Sequence, residues 1–199
     1  TIDRLLASPG FVRHQANELN WLLRDGTSSD FRKQYLLNAL KEDRRWPQIF
    51  EEVVLARETE ANKGVQDFLR DQVRDLDKLT TAVSVRFFGV DISCAQCHDH
   101  PYVADWTQDT YFGMQSFFSR TFDNGGFIAE RESGMVSFKT VQGEERKAEL
   151  RFLGGPGIPE PTELDEEGRK AEKTRLDEFK KKKEQAPPPN YSRRAVLCL

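Results

Sequence analysis

Between residues 1 and 90, apolar side chains recur at three- and four-residue spacing, the period of helices that bury one face. Ser8-Pro9 opens the first long helix, since proline is favoured in a first turn. Over residues 11–24, Arg13, Asn17, Asn20 and Arg24 form one narrow polar stripe in an otherwise largely apolar and aromatic helix, which Asp25-Gly26 ends. Asp30 stands where an N-cap would start a helix through Leu40 that carries Phe31, Tyr35 and Leu36. Pro47 suits the first turn of the next, with Ile49, Phe50, Val53 and Val54 facing inward. The longest regular run follows: Val65, Phe68, Leu69, Val73, Leu76, Leu79, Val83 and Phe87 keep helical spacing, and Gly89 stands where a C-terminal glycine stops a helix.

Residues 90–104 then read as a loop. Asp105 with Gln108 three residues on is a capping-box pattern, predicting a helix with Trp106, Thr110, Met114, Phe117 and Phe118 on one side. After Asn124-Gly125-Gly126 the pattern changes to alternation, which predicts short strands in 127–129, 135–141 and 148–153, with Gln142-Gly143 as a turn. Residues 162–185 are rich in Glu and Lys and poor in apolar positions, the mark of a solvated helix or a disordered linker. Pro187-Pro188-Pro189 is a stiff spacer, after which residues 191–199 open another helix. The expected organisation is a mainly α domain over 1–125, a small β-rich insertion over 126–158, a charged and Pro-rich linker over 159–190, and the start of a following domain over 191–199.

Composition narrows the function. Of 199 residues, 37% are hydrophobic and 32% charged, and the excess charge gathers after Pro159. Net charge is −3 and no basic patch alternates with aromatics, so nucleic acid is a poor partner. No apolar run is long enough to span a bilayer, and no signal peptide is present. The chain does not begin with Met and is expected to be a piece of a longer precursor. Three cysteines make no disulfide framework: two are at C-x-x-C spacing, and nothing points to a catalytic role for Cys198. The carboxylates of residues 163–178 show no paired constellation for acid–base work.

The chemistry lies in Cys94-Ala95-Gln96-Cys97-His98, the attachment signature of c-type haem. Two thiols three residues apart reach the two vinyl groups of one haem edge, and the next residue brings its imidazole beneath the ring as the proximal iron ligand. Three other readings compete. Zinc would take Cys94, Cys97 and His98 or His100, but structural zinc usually brings two separated ligand pairs. A thioredoxin-like dithiol would follow a strand, whereas this one follows a long predicted helix. The third is coincidence.

The stretch Arg86-Phe87-Phe88-Gly89-Val90, followed by Cys94-Ala95-Gln96-Cys97-His98-Asp99-His100-Pro101 and by Trp106-Thr107-Gln108-Asp109-Thr110-Tyr111-Phe112, resembles the planctomycete cytochrome-c-like proteins. In these, an uncharacterised domain with a C-A-Q/R-C-H-D-H segment precedes a second uncharacterised domain. Asp3-Arg4-Leu5-Leu6-Ala7-Ser8-Pro9 is similar to the opening of the first domain, and Asn190-Tyr191-Ser192-Arg193-Arg194-Ala195 to the join into the second. The resemblance implies one covalent haem c in a secreted or periplasmic protein. It implies no particular reaction.

A second axial ligand would separate an electron carrier from a catalyst or sensor. His100 fails on reach: imidazoles on opposite haem faces place their Cα atoms roughly 10–13 Å apart, given metal–nitrogen bonds near ~2 Å, while two residues of extended chain span at most about 7 Å. His100 therefore reads as a group outside the iron's own ligands, bonding a haem propionate or acting as acid–base residue, or else as a plain loop histidine. His14 and Met114 are the distal candidates, each weighed against an ordinary packing role, and Met135 is a weaker one. Trp106 and Tyr111 are candidates for packing on the haem. The first functional expectation is electron transfer to a redox partner protein or to the following domain of the precursor. The alternatives are a haem enzyme or small-ligand sensor with an open distal iron, and a structural module stabilised by haem or zinc.

Overall fold

The computed structural model describes residues 2–27 and 29–199. They form two compact units, Thr1–Asp71 and Gln72–Leu199. Helix dominates, and among the described residues the strands occur only as three two-stranded antiparallel pairs, so the fold is mainly α with a small β insertion. No helix among the described residues is long and apolar enough to cross a membrane.

The first unit comprises α1 (Ile2–Leu6), α2 (Pro9–Arg24), a wide π-helical turn (Phe31–Leu36) running into α3 (Leu37–Lys41), α4 (Trp46–Leu55), a 3-10 turn (Glu60–Asn62) and α5 (Asp67–Gln72), whose last residue opens the second unit. Helix α2 begins and ends as expected. The Ser8 side chain accepts the Phe11 N–H, and Asp25 closes the helix in the left-handed region at φ 51°. Its polar stripe turns partly inward, however. Asn20 and Arg24 are buried while Trp21 and Leu22 are exposed. Arg24 can be enclosed because its guanidinium pairs with Asp71 (Nη2–Oδ2 2.5 Å), lies 3.8 Å from Asp67, and sits over the Phe31 ring.

Phe31, Tyr35 and Leu36 are buried as their spacing predicts. Asp30 is not the cap: it is itself helical (φ −65°, ψ −25°), whereas an N-cap needs extended backbone. In α4, Ile49, Val53 and Val54 face inward behind a first-turn proline. The Tyr35 hydroxyl donates to Glu52 (2.8 Å), and burial, followed by the charge of Glu52, pushes its phenol above the usual range.

The single helix expected across Val65 to Phe87 is two helices, α5 and α6 (Leu76–Phe88). Asp75 breaks the run. It takes an extended conformation (φ −132°, ψ 99°) and its carboxylate accepts the Lys78 N–H at 3.1 Å. Local side-chain bonding to the backbone outcompetes one more helical turn here. Gly89, at φ 69°, ends α6 as expected.

The second unit continues with a 3-10 turn (Ser93–Gln96), α7 (Gln108–Ser116), β1 (Thr121–Asp123), β2 (Ile128–Glu130), β3 (Ser137–Lys139), β4 (Glu145–Lys147), β5 (Leu150–Arg151), β6 (Gly157–Ile158), α8 (Glu166–Lys182) and α9 (Arg193–Leu197). Pairing is β1–β2, β3–β4 and β5–β6, with Asn124-Gly125-Gly126 and Gln142-Gly143 making the first two turns. Helix α7 is enclosed on nearly every side: Thr110, Tyr111, Gly113, Met114, Gln115 and Ser116 are all buried. Its cap is Thr107, extended at φ −98°, whose hydroxyl accepts the Thr110 N–H. Asp105, the expected cap, lies too early and offers only its backbone carbonyl to the Thr110 hydroxyl (2.7 Å).

The charged C-terminal run is more tightly held than a linker. Asp165 caps α8, and acidic residues at its start and lysines at its end match the helix dipole. Leu176 is buried with Ala129 and Ala186, against Phe122 and Phe179. Arg193 is fully buried. Its guanidinium forks onto Glu160 at 2.6 and 2.8 Å and also reaches the Ser116 carbonyl and the Ser119 hydroxyl. Arg120 pairs with Glu163 at 2.7 Å, and Arg194 with Glu130 at 3.1 Å.

Two predictions follow from this packing. A Cβ on Gly113 would lie 2.7 Å from Cβ of Arg151 and 3.2 Å from the Glu149 carbonyl, so Gly113→Ala forces α7 away from β5. Despite the better helix propensity of Ala, this change lowers stability by about 1–2 kcal/mol in urea denaturation. Glu160→Gln strands the buried Arg193 charge and lowers stability by about 3 kcal/mol, whereas the apolar double variant R193M/E160M recovers most of it.

Candidate functional site

In a 3-10 turn, side chains at i and i+3 eclipse one another. The turn at Ser93–Gln96 leads directly into Cys97, so Cys94 and Cys97 share a side, and both are exposed free thiols. Ile92 and Ala95 are fully buried and pin the turn from beneath. Asp91 secures its start by accepting the Ser93 N–H at 2.9 Å, and bonding from the Ser93 hydroxyl and amide holds its carboxyl below the usual range. Gln108 secures its end. From the first turn of α7 its side-chain N–H donates to the Gln96 carbonyl (3.2 Å), while its oxygen accepts the Val141 N–H (3.0 Å). The sequence pattern predicts only a capping role for Gln108, and its positioning role is visible only once three distant segments are folded together.

The two histidines of the motif are held in opposite tautomers. Nδ1 of His98 lies 2.8 Å from the Asp99 carbonyl oxygen. That oxygen can only accept, so Nδ1 donates and the neutral ring keeps its lone pair on Nε2. Nδ1 of His100 instead receives the Tyr102 and Val103 N–H groups at 3.2 and 3.1 Å, which puts the proton on Nε2. His98 thus presents a ligating nitrogen, and His100 presents a donor. The backbone of His100 also donates to the Trp106 carbonyl (2.8 Å), and its ring packs edge-on against Trp106 at 5.0 Å between centroids. His100 organises the loop that follows the motif.

Of the residues singled out from the sequence, Cys94, Cys97 and His98 lie on one short exposed segment, and His100 and Trp106 pack on each other in the next loop. Met114 is fully enclosed in α7. Its neighbour Tyr111 donates to Asp77 at 2.9 Å, tying α6 to α7, and burial raises its phenol pKa. His14 belongs to the first unit, where its imidazole is exposed and lies 3.9 Å from Glu18. Met135 is partly exposed at the β3 entrance, with its sulfur 3.4 Å from Arg193.

These donors meet what a covalent haem asks of a chain: two accessible thiols on one turn, and a neighbouring imidazole whose neutral form has its lone pair on Nε2. A closed zinc site asks for more convergence. Among the described residues, no three His, Cys, Asp or Glu side chains gather into a metal-holding group. No curated protein and no solved structure matches the chain. Residues 1–123, from α1 to the end of β1, match the family described as PSCyt2, protein of unknown function (DUF1549); that span is more than half of the chain, which therefore belongs to this family.

Proposed function

We propose that the chain is a c-type haem domain of an exported bacterial protein of the planctomycete cytochrome-like kind, working in electron transfer. The observation that carries this reading is the joint presentation of two exposed thiols and an imidazole whose Nδ1 is fixed by a backbone carbonyl. When bound, haem would supply a one-electron iron couple. Cys94 and Cys97 would hold the macrocycle edge through thioethers, and Nε2 of His98 would be the proximal donor. By accepting Nδ1–H, the Asp99 carbonyl orients the imidazole and raises its basicity. The Nε2–H of His100 is suited to a haem propionate, and Trp106 to shielding one edge from water. The printed family name, PSCyt2, points the same way. Thioether attachment takes place outside the cytoplasm, so the reading goes with a periplasmic or secreted location. The electron would pass to a redox partner protein or to a further domain of the same precursor.

A second reading, a haem enzyme or small-ligand sensor with an open distal side, draws support from Met114. Freeing that thioether from the core would expose a side chain whose burial is worth about 1.5–3 kcal/mol. A zinc- or haem-stabilised structural module is the remaining alternative.

Export of the chain together with cytochrome c maturation proteins tests the proposal. The expected result is one haem per chain by intact mass and a c-type pyridine haemochrome. Loss of either Cys94 or Cys97 to Ala leaves a single thioether with a red-shifted band, and loss of both abolishes attachment. Stoichiometric zinc without covalent haem overturns the reading. On the haem-loaded protein, Met114→Leu is expected to leave the spin state unchanged and to alter stability by less than about 1.5 kcal/mol. A change from low to high spin would instead assign Met114 to the iron.

A further inference from the structure

A groove of about 510 Å³ lies in the second unit between the β1–β2 hairpin and one face of α8, away from the cysteine turn in sequence and lined by none of its residues. Its size is that of a small-molecule site. The α8 positions that reach it, 169, 172, 173, 176, 177 and 180, recur at three- and four-residue spacing, so one continuous helix face forms a wall. Leu176 and Phe122 give the groove an apolar floor. Four cations surround that floor: Arg131, Arg169, Lys173 and Lys180.

Three carboxylates also line the groove, which makes the disposition of donors and acceptors decisive. Glu172 is buried and bonds the backbone N–H of Glu132, and Asp123 accepts the Gly126 N–H at 2.8 Å. Both are engaged in holding the hairpin and the segment after it, and the third, Asp177, is an exposed residue of α8. Of the cations, Arg169 donates from Nε to the Leu164 carbonyl at 2.9 Å; the charged ends of the other three are not so engaged. Among the described residues, no carboxylate pairs with Arg131, Lys173 or Lys180. Arg131 is nevertheless held in place, its guanidinium stacked 4.4 Å over the Phe122 ring. A stacked guanidinium keeps its in-plane N–H donors free and has little rotamer entropy left to lose on binding. Lys180 is likewise directed by contact, because its aliphatic stem lies against Gly125, where a Cβ would come within 2.9 Å.

We propose that this groove is a binding site for a small organic oxyanion: a phosphate or sulfate monoester, or a carboxylate. Arg131 takes the oxyanion with two parallel N–H donors, Lys173 and Lys180 neutralise it, and Phe122 and Leu176 receive the apolar body of the ligand. Phosphate and carboxylate share this chemistry, and direct comparison of the two tells them apart. None of these residues belongs to the cysteine turn, and most lie beyond the family-matched span.

The test is a titration of the full chain with inorganic phosphate, and separately with acetate and phenyl phosphate, at constant ionic strength made up with chloride. Arginine Nε–H and backbone amide resonances are followed by NMR. Saturable shifts confined to Arg131, Gly125, Gly126 and the amides of α8 are expected, with phenyl phosphate tighter than inorganic phosphate. Arg131→Ala weakens binding about tenfold, corresponding to ~1.4 kcal/mol. Lys173→Gln, on the exposed helix surface, weakens it less and leaves the fold intact by circular dichroism. Non-saturating shifts spread over surface lysines, or equal affinity in Arg131→Ala, would overturn the proposal.

Discussion

Gln108 is the point at which the cysteine turn is joined to the rest of its unit. Its amide spans the Gln96 carbonyl on one side and the Val141 N–H on the other, while its backbone begins α7. Each of those partners, left without the amide in a part-buried setting, costs about 1–3 kcal/mol. The turn itself is too short to be stable alone, since 3-10 hydrogen bonds are poor and only one turn is made. Its shape therefore depends on Ile92 and Ala95 in the core and on Gln108 at its end. Enclosure of α7 makes this support rigid: a helix buried on nearly every side cannot roll, and the side chain it projects toward Gln96 is fixed with it.

Legibility in the sequence followed the physics of each feature. Apolar periodicity marked α2, the π-helical turn, α4 and α6 because burial of a helix face is a local pattern repeated many times. Glycines at 89, 125, 126 and 143 were readable because positive φ is nearly a property of the residue. Caps were harder. Asp30, Asp75, Asp105 and Thr107 are all competent by composition, and only the backbone conformation selects Asp75 and Thr107. Buried ion pairs were least legible. Arg24 meets Asp71 across 47 residues and Arg193 meets Glu160 across 33, and nothing near either arginine distinguishes it from a solvated one.

The candidate site divides in the same way. Spacing alone set Cys94, Cys97 and His98 on one short segment, and chain geometry alone separated His98 from His100 as ligands of one iron. Spacing could not reveal that the two imidazoles carry their protons on different nitrogens. That assignment comes from the Asp99 carbonyl for one and from the Tyr102 and Val103 amides for the other, backbone groups that carry no residue-specific signal. A six-residue loop thus holds one nitrogen ready for a metal and one N–H ready for an oxyanion, using only backbone as the discriminating element.

The C-terminal residues bear on specificity more than on stability. Removing two charges from water and pairing them in a core gives little net gain, while leaving one unpaired is severe. Arg193 and Arg194, matched with Glu160 and Glu130, therefore admit one docking of α9 and reject shifted alternatives in which a charge would lose its partner, while Arg120 with Glu163 fixes the segment that enters α8. Apolar contacts at Leu176 and Phe179 are compatible with several registers of α8, because leucine and phenylalanine repack at low cost. The asymmetry assigns distinct tasks to the two kinds of contact. Apolar burial drives the charged segment onto the hairpins, and the arginine forks decide where it stops. That placement in turn defines the groove between α8 and β1–β2, whose free cations face the same hairpin that the paired glutamates hold.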